Sequence, residues 1–173
     1  MADAALFAAV FAIVAALAAM GTYNGLKALR AEVRDAWADM DAELVRRYEL
    51  LPPLVAAARA TCDPTPAGLS AAVAARNRAA VAFDPQQLAD AESAVTAGLR
   101  ALFASPPPAL AAHPSYARSR ADLLAAEGRI TDAGDRYNAT VAAYNAALRS
   151  FPQDWAAAAF GFKPQPTFAG RAG

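Results

Sequence analysis

The sequence has one cysteine, one histidine and two lysines in 173 residues. A single cysteine, Cys62, excludes an intramolecular disulfide and any cysteine-based metal cluster. A single histidine, His113, excludes paired-histidine zinc motifs and argues against a Ser-His-Asp triad. Cys62 has only Arg59 nearby in sequence to stabilise a thiolate, so it reads as inert. There is no glycine-rich phosphate loop and no G-x-S-x-G elbow. Net charge is also lacking: 16 basic residues balance 16 acidic ones, so no overall field draws the chain to nucleic acid. These absences point away from an enzyme and away from any cofactor. What is abundant is alanine, 52 residues, within a 57% hydrophobic composition. That is too apolar for a disordered chain.

The apolar residues are distributed unevenly. Ala4 to Met20 is an unbroken apolar run, and no charge appears between Asp3 and Lys27. Those 23 uncharged residues make roughly 34 Å of helix, against a hydrocarbon core of about 30 Å. Leu6, Phe7, Val10, Phe11, Ile13, Val14 and Leu17 supply roughly −3 kcal/mol of insertion energy. A cleaved signal peptide would need a basic leading region. Here only Met1, Ala2 and Asp3 precede the run, so a retained anchor over residues 1–22 is expected. Lys27, Arg30 and Arg34 follow it, and no basic side chain precedes it. The positive-inside rule then puts the N-terminus outside and the body in the cytoplasm. The opposite topology, an exported sensor or adaptor, is the contrasting reading.

Beyond the anchor, Leu26, Leu29, Val33, Trp37, Met40, Leu44, Tyr48, Leu51 and Val55 recur at steps of 3 and 4. This predicts a long helix to about Thr61, kinked at Pro52-Pro53. Asp63-Pro64-Thr65-Pro66 predicts a stop and a restart, with Thr65 as cap and Pro66 as first helical residue. Leu69, Val73, Ala80 and Phe83 mark the second helix. Asp84-Pro85 opens a third that carries Leu88, Val95, Leu99 and Leu102, and Ser105 to Pro108 closes it. Ser115 can cap a fourth, on which Leu123, Glu127, Ile130, Gly134, Tyr137, Val141, Tyr144, Leu148 and Phe151 form a heptad seam. A turn of helix from Asp154 to Phe160 ends at Gly161, and a proline-aromatic tail follows. The expected fold is all-α: an N-terminal transmembrane helix, an antiparallel four-helix bundle over 23–152, and a tail over 153–173.

Antiparallel neighbours with short loops fix a register between the first and last long helices. Pairing Thr61 with Ser115 at one end and Thr22 with Phe151 at the other places Trp37 near Tyr137. Met40 then falls near Gly134, Leu44 near Ile130, and Arg47 near Glu127. Arg46-Arg47 could instead bind an anion or lipid headgroup, but lies about 30 Å along the helix from Lys27. An internal salt bridge to the seam acid is the simpler reading. The pairs Tyr137-Asn138 and Tyr144-Asn145 repeat at seven residues, as core packing or as one face of a partner groove. Trp155, Phe160 and Phe162 either fold back over the bundle or sit in the membrane interface.

Several of these blocks resemble the LemA family. Tyr23-Asn24-Gly25-Leu26 with Leu29-Arg30 opens the first block. Ala36-Trp37, Asp41, Leu44, Arg46-Arg47 and Leu50-Leu51-Pro52 continue it, with Pro53 where the family has Asn. Glu127, Ile130 and Arg136-Tyr137-Asn138, Val141, Tyr144-Asn145 form the second. Phe151-Pro152 and Phe160-Gly161-Phe162 form the third. The resemblance implies a membrane-anchored antiparallel bundle in the bacterial inner membrane, without an established biochemical activity. It implies a scaffold or interaction module with a protein partner, a membrane protease being one candidate, and by analogy only. The contrasting class, an enzyme with an acidic site, would show mutually close acids or a deep polar pocket.

Overall fold

A computed structural model describes residues 2–82 and 85–168. All elements assigned among them are helices: α1 (Ala2–Thr61), α2 (Ala67–Ala79), α3 (Pro85–Ala104), α4 (Pro108–Ala111), α5 (Tyr116–Ala147) and α6 (Gln153–Phe160). The expectations placed on Phe83 and Asp84 lie outside the described residues.

α1 is unbroken for 60 residues and carries Pro52 and Pro53 inside it. Each proline removes a backbone hydrogen bond. Both rings lie on the solvent side, between the buried Leu51 and Leu54. The freed carbonyls can turn to water there while the apolar stripe stays packed. α2 starts one residue later than the proline pattern predicts. Pro66 is its N-cap, with no side-chain cap bond, so Thr65 does not cap it. The Pro66 carbonyl instead accepts from the amides of Leu69 and Ser70. α4 is a single turn that opens on Pro108, the last of the three prolines, where the punctuation predicts only a loop. Ser115 stands just before α5, and its hydroxyl hydrogen-bonds with Nδ1 of His113 at 2.9 Å. α5 ends at Ala147 rather than running to Phe151. Phe151 is 77% exposed and is not part of the seam. Gly161 terminates α6 at φ 71°, the left-handed conformation for which a glycine cap is selected.

The chain forms two compact units. One comprises Trp37–Tyr137 with Phe168–Gly173. Its core joins Leu51, Leu54 and Ala58 of α1, Leu69, Ala72 and Ala75 of α2, Val95, Leu99 and Leu102 of α3, Leu110 of α4, and Tyr116 and Leu123 of α5. α2 and α3 make an unusually close approach. A Cβ on Gly98 would lie 2.6 Å from the Gly68 carbonyl oxygen, and one on Gly68 would lie 2.7 Å from that of Gly98. Only glycine at both positions allows these backbones to touch, and the buried alanines around them keep the contact thin.

The other unit comprises Met1–Ala36 with Asn138–Thr167. Leu26, Val33, Val141, Tyr144, Leu148, Ala156 and Ala157 are its buried residues. Its N-terminal part is the reverse of a core. Leu6, Phe7, Val10, Phe11, Ile13, Val14, Leu17 and Met20 are all more than half exposed. By length and composition α1 can cross a membrane, and its apolar end is compatible with an anchor.

Candidate functional site

The helical stripe puts Arg47 one position beside Tyr48, and the structure buries Arg47 to 1% exposure while Tyr48 is only half-buried. An arginine so deeply buried must be paired and hydrogen-bonded. Its Nη1 donates to Glu127 Oε1 at 2.5 Å and to Thr96 Oγ1 at 2.9 Å. Its Nη2 donates to Glu92 Oε2. The Tyr48 hydroxyl donates to the other oxygen of Glu92, and the Thr96 hydroxyl to Glu127 Oε2 at 3.1 Å. One guanidinium therefore faces two carboxylates, and two hydroxyls supply the remaining donors. Arg47 Nε has no protein partner.

The two acids are not equivalent. The Glu92 side chain is 3% exposed and that of Glu127 is 23% exposed. Ala126, one residue before it, is fully inside the core, and Glu127 sits at the core's edge. The buried acid of the cluster is thus Glu92, which the sequence reading did not single out. A signal for it exists: Leu88, Val95, Leu99 and Leu102 leave a gap, and residue 92 completes steps of 4, 3, 4 and 3. Arg46 lies apart from the cluster. It is exposed and bonds Glu43 at 3.0 Å, and Glu43 also accepts from Arg129 at 2.8 Å. Glu43–Arg129 and Arg47–Glu127 are opposite-sign pairs of opposite polarity. Sliding α5 by one turn in one direction would set Glu43 against Glu127, so the charges oppose that slip.

Trp37 meets Tyr137 edge-on at 5.2 Å between centroids, as the register requires. Met40 Sδ lies 4.0 Å from where a Gly134 Cβ would be, and Phe168 fills the same space at 3.9 Å. The Trp37 ring also contacts Phe168 at 6.3 Å. Beside the cluster, Leu99, Phe103 and Leu124 with Arg100 and Arg120 line a cleft of about 310 Å³, which Thr96 and Glu127 also line.

The second Tyr-Asn pair has a different surrounding. The Tyr144 hydroxyl donates to the carbonyl of Lys163 at 3.2 Å. The Asn145 amide donates to the Gln165 carbonyl at 2.8 Å and accepts the Gln165 N–H at 2.9 Å. This two-way pairing mimics a backbone ladder and holds the tail along α5. Burial raises the Tyr144 phenol above its ordinary range, and the Arg30 charge opposes the shift. Tyr137 and Tyr116 are raised for the same reason. Asn138 is half-buried. Of the tail aromatics, Phe160 and Phe162 pack edge-on against Tyr23 at 4.9 and 5.8 Å, whereas Trp155 is 74% exposed.

Apart from Tyr23 and Arg30, the residues that meet in these contacts lie within a match to a family model. The model of the LemA family matches residues 36–172. The chain belongs to the LemA family. No curated protein matches the sequence. LemA is not a known enzyme family. Within this LemA chain the family's second block serves two structural ends. Glu127 joins the arginine cluster, and Tyr144-Asn145 dock the tail. Among the described residues, no group of three His, Cys, Asp or Glu side chains is placed to hold a metal ion.

Proposed function

We propose that this LemA protein is a single-pass, non-catalytic interaction module of the bacterial cytoplasmic membrane. The observation that carries this reading is the exposed apolar end of α1. Eight large apolar side chains from Leu6 to Met20 project outward, each 53–77% exposed. Such a surface is costly in water and favourable in lipid. Lys27, Arg30 and Arg34 on its C-terminal side favour a body facing the cytoplasm. The non-catalytic reading rests on the arginine cluster. Both carboxylates accept bonds from Arg47 and from hydroxyls, an arrangement that holds helices together. The partner expected is a protein of the same membrane, a protease being the candidate that family resemblance suggests.

A reporter active only outside the cytoplasmic membrane, fused after Gly173, should be silent, and one active only in the cytoplasm should work. The reverse pattern supports the exported reading instead. A mature N-terminus beginning after residue 20 would remove the anchor altogether. Proximity labelling from Gly173 in native membranes should then mark membrane proteins over soluble ones.

A further inference from the structure

α6 is held by one face and bare on the other. Ala156 and Ala157 are 8% exposed, and Phe160 and Phe162 lean on Tyr23. Pro152 and Gln153, at its start, border a groove of about 460 Å³ whose other wall is Gly21, Thr22, Gly25, Ala28, Leu29 and Glu32. Both ends of the short helix therefore lie against the first turns of α1 that follow the apolar run. Tyr23 is only three residues past Met20, about 5 Å along the axis. Phe151 and Trp155 meet edge-on at 6.1 Å and stand 77% and 74% exposed. Arg149 is exposed two residues before the pair, and Lys163 is exposed shortly after α6.

We infer that Phe151 and Trp155 form a foot that seats in the headgroup layer of the bilayer holding α1. The inference rests on the anchor reading above. Trp prefers that layer, where the ring is shielded and the indole N–H stays wet. Basic side chains on either side complement anionic headgroups. The seat is adjacent to the span in the same compact unit, so the bilayer is the occupant to which this patch is continuous.

The test uses the full chain in vesicles of phosphatidylcholine and phosphatidylglycerol. The Trp37→Phe variant leaves Trp155 as the single tryptophan. Its emission should shift to the blue and be quenched by lipids brominated near the headgroup end of the acyl chains. Quenching by aqueous acrylamide alone overturns the foot, and so does protection from both quenchers, which would mean that protein covers the patch. A Trp37→Phe/Trp155→Phe/Phe11→Trp variant reads the anchor separately through deeply brominated lipids. Quenching there without quenching at Trp155 removes the foot and leaves the anchor. No quenching at either site removes both. Because Trp37 packs on Tyr137 and Phe168, a spin label at Trp155→Cys in a Cys62→Ser background repeats the depth measurement with Trp37 intact. There, preferential collision with oxygen supports the foot and preferential collision with an aqueous nickel complex overturns it.

Discussion

Two stretches of α5 use polar residues on one apolar seam in opposite ways. Around Glu127 the polar groups are ionic and join three helices through Arg47. Around Tyr144 and Asn145 they are neutral and bind the backbone of an extended segment. An ion pair in a core is costly to halve, because the remaining charge has nowhere to go. An amide that pairs with a peptide backbone is cheaper to lose, because an extended tail can recover water. The first stretch should therefore govern global stability, and the second the order of the tail.

The sharpest way to break this contrast is Arg47→Ala. It strands the Glu92 carboxylate at 3% exposure, and we expect a loss of about 3–5 kcal/mol in denaturant unfolding of the detergent-solubilised chain. Glu127→Gln should cost only about 1 kcal/mol, since its carboxylate is partly solvated and Arg47 keeps Glu92. Equal losses would mean that Glu127 is as deeply held as Glu92.

A packing effect of intermediate size lies outside both stretches. Gly98→Ala drives a methyl into backbone atoms at 2.6 and 2.9 Å. Overpacking of this kind costs about 1–3 kcal/mol, against a helix-propensity gain near 1 kcal/mol. Gly128→Ala meets nothing within 4 Å and should show only the gain. The two alanines are thus expected to shift the thermal midpoint in opposite directions.

The tail contrast is sharpened by Asn145→Ala. Two hydrogen bonds to Gln165 vanish, and the global loss should stay near 1–2 kcal/mol. The larger change should be local: limited proteolysis within residues 161–168 should accelerate well before the helices unfold.

Which of these features the sequence shows follows from the range of the interaction. The steps of 3 and 4 along α1 and α5, with short loops, suffice to set Trp37 on Tyr137 and Arg47 beside Glu127. Periodicity and chain direction are local properties, and register follows from them. Glu92 is not evident because α3 declares itself through Leu88, Val95, Leu99 and Leu102, and the empty position between the first two does not announce a buried acid. The Gly68–Gly98 contact left no periodic trace, since helix spacing depends on two distant positions being small together. The docking of the tail on Asn145 was equally hidden: an extended, proline-punctuated segment carries no period by which to align it. Pro52-Pro53 is the converse case: the apolar spacing continues through the pair, and α1 runs unbroken past it. A proline pair weakens helix locally, but the burial of Leu51 and Leu54 outweighs that loss.

The smallest expected effect is a pH dependence that separates the two stretches without touching either fold. The Tyr144 phenol is raised by burial, so the folded state holds its proton above the unfolded value of about 10. Between those two values the folded state binds more protons than the unfolded one, and stability falls as pH rises. Its contribution is whole below about pH 10 and is lost as the solution passes the raised value, at up to about 1.4 kcal/mol per pH unit. Tyr137 and Tyr116 act in the same sense, so the contribution of the three phenols should be flat from neutral pH to about 10 and then decline. Tyr144→Phe should cost about 0.5–1 kcal/mol at neutral pH for its one long hydrogen bond to Lys163. Above pH 10 the variant should decline less steeply than the parent, so the two stability curves converge. Parallel curves across that range would mean that Tyr144 ionises in the folded state as it does in water, and that the tail does not seal it.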